Sequence, residues 1–512
     1  MDYCKKINTG RWNMDGTITL SQIEIMPYQL IHLHELKVVK TANDHARLIF
    51  AGTVDENLRD YYMKASDEET QVKVFVKDGE GGRHALFRGI ALDVKVKTVN
   101  GINYMTVEAI SHTHQLDMKR RKRSFQNPRL TYTELIKSIV AEYGKEADVL
   151  DVASGGKAIG TFVMQYDETD WEFLKRLASH FYSPLIPAVG YGVPKFYFGM
   201  PMGLSKGELQ VHNYKAVKRV SAYQTAAENR IPGVRNEDFL QYEVEADKLM
   251  EPGHEVLFQE RPWLVAEAVS ELRQGLLKHS YKLSPRSGLR PIKMYNRAII
   301  GASIHGKVLA VRKDKVQVKL DMDEQVDPAT DFWFPYSTIY ASEGQTGWYC
   351  MPEVGDQLRI YFPSYKEEEG YAISSVKRTN PASAPLKSQT SAAAAAAPGK
   401  AAAAPEPHSS ADGEDVMADP AVKTLQTKYG KKIVLAPDKI VISSGGMSII
   451  VSDSEGITIK SDKDISITAG GELVLSSQML QLSADKIELT GKGSTLSLEE
   501  DILLSGSEIK MN

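Results

Sequence analysis

The sequence predicts a mainly β protein in several parts: two β-barrels with an α/β insertion between them, an OB-fold barrel, and a C-terminal intertwined trimeric β-helix. Three observations carry that expectation. Alternating apolar and polar residues run through residues 1–118 and return from 207 to 378. Two stretches between those regions carry the helical period instead. After residue 428, pairs of aliphatic side chains recur at intervals of seven to eight residues.

Residues 1–118 contain "GTITLSQIEI", "HARLIFAGTV", "QVKVFVKDG" and a pair of alternating runs around Asn100-Gly101, a strong cue for a tight hairpin. They predict the first barrel. Residues 119–206 open on the basic run Lys119, Arg120, Arg121, Lys122 and Arg123 and then change period. "TYTELIKSIVAEYG" places Leu135, Ile136, Ile139 and Val140 on one helical face, and "TDWEFLKRLASHFY" does the same with Trp171, Phe173, Leu174 and Leu177. Thr169 or Asp170 is positioned to cap the second helix. Residues 207–298 return to strands, and "PGHEVLFQERPWLVAEAVSEL" loosely echoes the order of "GGRHALFRGIALDVKVKTV". A duplicated barrel and two unrelated β domains both fit that echo. Residues 299–379 hold four or five short alternating runs with glycines at the bends, the pattern of a small OB-type barrel. Residues 380–428 are rich in Ala, Pro and Ser and read as a flexible linker.

The tail, residues 429–512, is the sharpest signal. In "GITIKSDKDISITAGGELVLSS" the pairs Ile457/Ile459, Ile465/Ile467 and Leu473/Leu475 lie eight residues apart, and Ile487/Leu489 continues the series. Alternation buries one face of each strand, yet so short a strand has nothing of its own chain to bury against. Single-chain solenoids close with coils of roughly 20 residues, so an octad supplies one side only. Three intertwined chains supply the other two, with "KSDKD" and "AGG" as corners. Eleven such strands stacked at about 4.7 Å predict a needle on the order of 50 Å long.

Composition narrows the function classes. At 512 residues with 42% hydrophobic and 25% charged side chains the chain can build several cores, and a formal net charge of −4 gives no global attraction for nucleic acid. The two cysteines, Cys4 and Cys350, form no CxxC motif, which argues against a disulfide scaffold or a cysteine zinc site and fits a reducing cytosol. "MDYCKKINTGRWNMDG" lacks an apolar signal core, and no stretch reaches about 18 apolar residues. The expectation is synthesis in the cytoplasm without a signal peptide.

"FQNPRLTYTELIKSIV", "VMQYDETDWEFLKRLASHFYSPLI", "GKVLAVRKDKVQVKL" and "GWYCMPEVGDQLRIYFP", followed by the octad tail, resemble the VgrG family. That family forms the spike of type VI secretion systems and is similar to the fused hub and central spike of contractile phage tails and R-type bacteriocins. Its most specific element here lies within residues 166–180, at Asp170, Trp171, Phe173, Leu174, Arg176 and Leu177. The resemblance implies a homotrimer whose two barrels form a hub under the tail tube protein, among baseplate wedge proteins, with the needle puncturing the target cell membrane on sheath contraction. It implies assembly into the baseplate of a phage tail or injection particle, no enzymatic activity and no cofactor. A separate tip protein or effector is implied as well, because no histidine follows His408 to build a metal tip. A trimeric receptor-binding tail fibre or adhesin, and a cell-wall hydrolase, are the rival readings.

Individual residues carry competing roles. Asp167, Glu168 and Asp170 suit either paired acid–base chemistry or a helix N-terminus, and the second is favoured because acids there complement the helix dipole. His32/His34 and His112/His114 have the spacing of strand metal ligands but lack a third donor. Lys119 to Arg123 form a candidate basic contact patch, for phosphate or for acidic neighbours, although stable nucleic-acid binding is not expected. Trp333, Phe334, Tyr336, Trp348, Tyr349, Tyr361 and Phe362 suit base stacking or, more simply, barrel filling.

Overall fold

The computed structural model describes residues 16–78, 82–324, 332–339, 347–373, 419, 421–427 and 429–498. The chain divides into two compact units, residues 1–426 with 435–437, and residues 427–434 with 438–512. Most of the Ala/Pro-rich linker and the last aliphatic pairs of the tail lie outside the described residues.

The first part of the hub runs through β1 (Ile18–Thr19), β2 (Ile23–Met26), β3 (His32–Thr41), β4 (Arg47–Val54), α1 (Glu56–Ala65), β5 (Gln71–Lys77), β6 (Arg83–Val99) and β7 (Ile102–Ser111). Asn100 and Gly101 both take positive φ, 50° and 80°, which lets two residues reverse the chain between β6 and β7 with Val99 opposite Ile102. Alternation turns Leu36, Val38, Phe50, Val72, Val74, Phe87, Met105 and Val107 into one buried core.

The insertion comprises β8 (Arg120–Phe125), α2 (Tyr132–Ala141), β9 (Asp148–Asp151), β10 (Val163–Thr169), α3 (Asp170–Ser179), β11 (Leu185–Pro187) and β12 (Lys195–Phe198). Both helices begin with a capping box. Thr131 and Glu134 satisfy each other's backbone N–H groups at α2, and Thr169 and Glu172 do so at α3. The apolar faces of the two helices meet in a core built from Leu135, Ile136, Ile139, Trp171, Leu174 and Leu177.

The second part of the hub follows as β13 (Ser205–Glu208), β14 (Tyr214–Lys218), α4 (Val220–Glu228), β15 (Leu240–Glu245), β16 (Glu255–Phe258), β17 (Arg261–Arg273) and β18 (Leu276–Ser284). It has its own core, around Val244, Val256, Trp263, Val265, Tyr281 and Leu283. The two parts are joined edge to edge by hydrogen bonds. Their strands form one thirteen-stranded sheet with the main path β14-β15-β18-β17-β3-β4-β7-β6-β5-β2, joined where residues 267–271 of β17 pair with residues 37–41 of β3. Sequence periodicity reports each strand's buried face but not its lateral partner, so this continuity was illegible in the chain.

The OB region contains β19 (Ser303–Arg312), β20 (Lys315–Leu320), β21 (Phe334–Pro335), β22 (Gly347–Tyr349), β23 (Gln357–Tyr361) and β24 (Tyr371–Ile373). Five of these form the sheet β21-β20-β19-β23-β24, and a bridge between Tyr336 and Ala372 brings its ends together. Phe334, Tyr349 and Phe362 are buried in this core, so these aromatics fill the barrel. Phe162 and Met164, from the insertion, belong to the same core. β22 pairs with β25 (Lys423–Gln426).

The C-terminal unit begins with β26 (Lys431–Leu435), β27 (Lys439–Ser444), β28 (Met447–Ser452) and β29 (Gly456–Lys460), and ends with the hairpin β30 (Ile487–Gly491) and β31 (Ser494–Leu498). β27, β28 and β29 pair antiparallel within the chain. Residues 461–486 pair with no strand among the described residues and are interrupted by bends at 462–463, 470–471, 478 and 485. The first two bends fall within "KSDKD" and "AGG".

Candidate functional site

Two features of the chain ask for a functional reading: a knot of buried charge around α3, and an unburied aliphatic face in the C-terminal unit. The knot starts with Asp170, the first residue of α3, which is 0% exposed. Its carboxylate meets Arg123 Nη2 at 2.5 Å and Arg121 Nε at 3.3 Å, and it accepts hydrogen bonds from Tyr143 Oη at 2.5 Å and Gln165 Nε2 at 2.9 Å. Glu142 closes the group, holding Arg121 Nη1 at 2.8 Å and also Arg123. Two guanidinium groups thus face two carboxylates, and the buried cluster is neutral as a whole. Burial, followed by the adjacent Asp170 carboxylate, raises the Tyr143 phenol, which keeps it a hydrogen-bond donor.

This is where the basic run goes. Strand alternation sends Arg121 and Arg123 to the Asp170 side of β8, and Arg120 and Lys122 to the other. Arg120 reaches Glu172 at 3.6 Å and the Asp167 carbonyl, Lys122 lies over the Tyr166 ring, and Lys119 is exposed. The three arginines of the run therefore meet acids of their own chain, and among the described residues the two lysines do not. A signal was present in the sequence, since two arginines at i and i+2 on a strand demand a buried counter-charge if that face is covered.

The second half of the motif ties the insertion to the OB barrel. Arg176, 4% exposed, forms a bidentate pair with Glu168, at 2.8 and 2.9 Å, and an ion pair with Glu367 Oε1 at 2.9 Å. It also donates to the Met164 carbonyl at 2.7 Å, while the Met164 N–H donates to Glu367 at 3.1 Å. Ser124 donates twice more to Asp323 of the OB region, at 2.7 and 2.6 Å. Between these contacts lie Trp171, buried against Phe196 and the His45 ring, and Phe173, stacked on Phe125. Leu174 and Leu177 complete the apolar side. Truncating Trp171 to alanine is expected to lower stability by about 3–5 kcal/mol, read from denaturant midpoints.

Here two carboxylates share one cation. Burial pushes the Glu367 carboxyl up to about 7, against the pull of Arg176 and the Met164 N–H. Its folded value lies above the ordinary 4.5, so the folded protein keeps a proton that the unfolded chain has released. Its contribution to stability is full below the ordinary 4.5 and is lost as pH rises through 7. Glu367→Gln mimics the protonated form. Melts of the two proteins are expected to coincide near pH 4 and to separate by pH 8, the variant being higher by on the order of 3 kcal/mol at most.

The unburied face lies on the meander. Ile440 opposes Val451, which opposes Ile457; Ile442 opposes Ile449, which opposes Ile459. These two aliphatic rows are uncovered, Ile457 being 70% and Ile459 54% exposed. Ile465, Ile467, Leu473 and Leu475 lie on the unpaired stretch, where every residue from 462 to 486 is exposed. Leu489 is exposed as well, and Ile487 is half-buried. Leaving this much contiguous aliphatic surface in water is characteristic of an interaction face.

His32 and His34 are exposed on β3, and His112 is buried in a 3-10 turn after β7. Among the described residues no group of three His, Cys, Asp or Glu side chains could hold a metal ion, and no helix is long and apolar enough to cross a membrane.

Fold and site together define a mainly β hub locked through buried ion pairs to an OB barrel. Residues 304–376 match the family model of the type VI secretion system/phage-baseplate injector OB domain. No curated protein matches the chain. Among solved structures, the chain is similar to the c3393 protein of E. coli, described as a type VI secretion system component with structural similarity to the T4 bacteriophage tail proteins gp27 and gp5. That match has 16% identity over 69% of this chain and 99% of the other, with a TM-score of 0.50. A prophage MuSo2 tail protein from Shewanella oneidensis matches 53% of this chain and 98% of its own at 11% identity and a TM-score of 0.40. A half-lidded Francisella PdpA-VgrG complex matches 90% and 91% at 10% identity and a TM-score of 0.46. The VgrG-type resemblance of the sequence agrees with the family-model match over the OB region and, at the level of fold, with the c3393 match.

Proposed function

We propose that this chain is the hub and spike of a contractile injection machine, acting as a homotrimer whose C-terminal needle punctures the target envelope when the sheath contracts. The observation that carries the reading is the aliphatic face of residues 431–486, spaced in octads and left uncovered by its own chain. Three copies give each octad two neighbours on which to bury its pair, and a closed prism leaves no lateral sheet edge to aggregate. Such a prism pairs its backbone groups along the axis and so resists axial load.

The hub has the remaining features that a mechanical part needs. Its long sheet offers a docking platform for a tail tube protein and baseplate wedge proteins. The Arg176 and Asp170 clusters hold the insertion, and through it the OB barrel, as one body. The needle end is the place for a tip protein or effector. Light scattering should give the full-length protein three times the 56.8 kDa chain mass, and a protein lacking residues 429–512 a smaller multiple. A monomeric full-length protein would exclude the reading. A peripheral position in an electron-microscopic reconstruction of the particle would favour the fibre instead.

A further inference from the structure

β3, β17 and β18 bring four polar side chains to one face where the two parts of the hub sheet join. β17 sets Ala268 opposite Lys40 and Tyr281, and Ser270 opposite Val38 and His279. The two-residue period of a strand therefore puts Lys40, Ser270, His279 and Tyr281 on a common side. Lys40 is 3% exposed and His279 is 1% exposed.

The segment 247–254, between β15 and β16, is strapped to that side by three contacts and held in shape by a fourth within itself. The Lys248 carbonyl accepts from Tyr281 Oη at 2.7 Å, and the Met250 N–H donates to the same oxygen at 3.1 Å. The Glu251 carboxylate meets Lys40 Nζ at 2.5 Å, and the Glu251 N–H donates to His254 Nδ1 at 3.0 Å. His254 is buried too. The strap thus depends on a buried lysine and on an imidazole whose Nδ1 must stay unprotonated.

The surroundings hold few anions to receive more positive charge. Lys40 of β3 and Lys206 of β13 face His254. Lys40 and Lys278 of β18 face His279, with Asp247 of the strap as the opposing anion. Asp247 is already paired with Lys278 at 3.3 Å, and Glu251 with Lys40. His279 Nδ1 is hydrogen-bonded with Ser270 Oγ at 2.7 Å, and its Nε2 has no partner. Burial first, and these cations second, hold His254 at about 3 and His279 at about 4.

We propose that this seam is an acid-sensitive hinge, in which protonation of His254 and His279 beside Lys40 frees the strap 247–254 and loosens the joint between β17 and β3. Both imidazoles are neutral in the closed seam and charge readily once released. The closing contribution is complete above the ordinary value of 6.5 and is lost as pH falls towards 4. The Glu367 carboxyl takes up its proton over an overlapping range with the opposite effect, so acid softens the hub seam while the insertion keeps its hold on the OB barrel.

Hydrogen–deuterium exchange of the full-length protein, corrected for intrinsic exchange, tests this at about pH 7.5 and about pH 5. Peptides covering 247–254 and 263–272 are expected to lose protection about tenfold at the lower pH, while α3 keeps its own. A His254→Gln/His279→Gln protein should hold the strap closed at both. The proposal fails if wild-type strap protection is unchanged, if the double variant opens equally, or if α3 opens in parallel, which would mean global acid unfolding. Should the double variant not fold, imidazole C2–H exchange on the wild type decides. Neutral His254 and His279 at about pH 6 support the hinge, and charged ones overturn it.

Discussion

Replacing Asp170 with alanine is expected to destabilise the protein by about 3–5 kcal/mol. The reason is what stays behind. Arg121 and Arg123 are held by β8, and the Tyr143 hydroxyl and Gln165 amide also converge on the vacated place. Two guanidinium groups would then share only Glu142, itself partly exposed. Truncation costs more than the pair contributes, because a buried charge without its partner keeps its desolvation penalty. Removing both ends separates those terms. In Asp170→Leu/Arg123→Met the buried charge is largely gone, and much of the loss should be recovered. Chemical denaturation of the full-length variants measures both effects. A single-variant loss under about 1 kcal/mol would mean that the cluster is screened by solvent and acts as a surface pair.

The second large effect concerns assembly. Ile449→Glu is expected to abolish the proposed trimer, with the scattering mass falling to that of one chain. Ile449 lies between Ile442 and Ile459 in an aliphatic row. Burying each such side chain contributes about 1.5–3 kcal/mol. A glutamate forfeits that contribution and carries a charge into the shared core, three times over by symmetry, at several kcal/mol each. Ile449→Val, which keeps the face apolar, should remain trimeric. An Ile449→Glu protein of unchanged mass would show that this face is not the contact.

The sequence revealed local features wherever short-range physics sets the structure. Asn100-Gly101 reverses a hairpin because both residues tolerate positive φ. Thr169 caps α3 through a hydroxyl within reach of the Glu172 N–H. The bends at 462–463 and 470–471 fall in the polar segments between aliphatic pairs. What stayed hidden was every pairing made across a long loop. Arg121 and Arg123 looked like a surface charge run because their carboxylates lie just after α2 and at the start of α3. Arg176 and Leu177 read alike as helix residues, yet one packs in the insertion core while the other pairs with Glu367 of the OB barrel. Phe162 fills a barrel that begins well over a hundred residues further on.

By itself, then, the sequence determined the period of each segment, the face each strand or helix buries, and the octad rhythm of the tail. Those follow from side-chain spacing along a regular backbone. Only the tertiary structure decided that the two hub halves share one sheet, that the three arginines of the basic run meet acids of the same chain, and that residues 461–486 have no partner strand among the described residues. Those depend on which distant surfaces meet, and neither alternation nor charge encodes a partner's address.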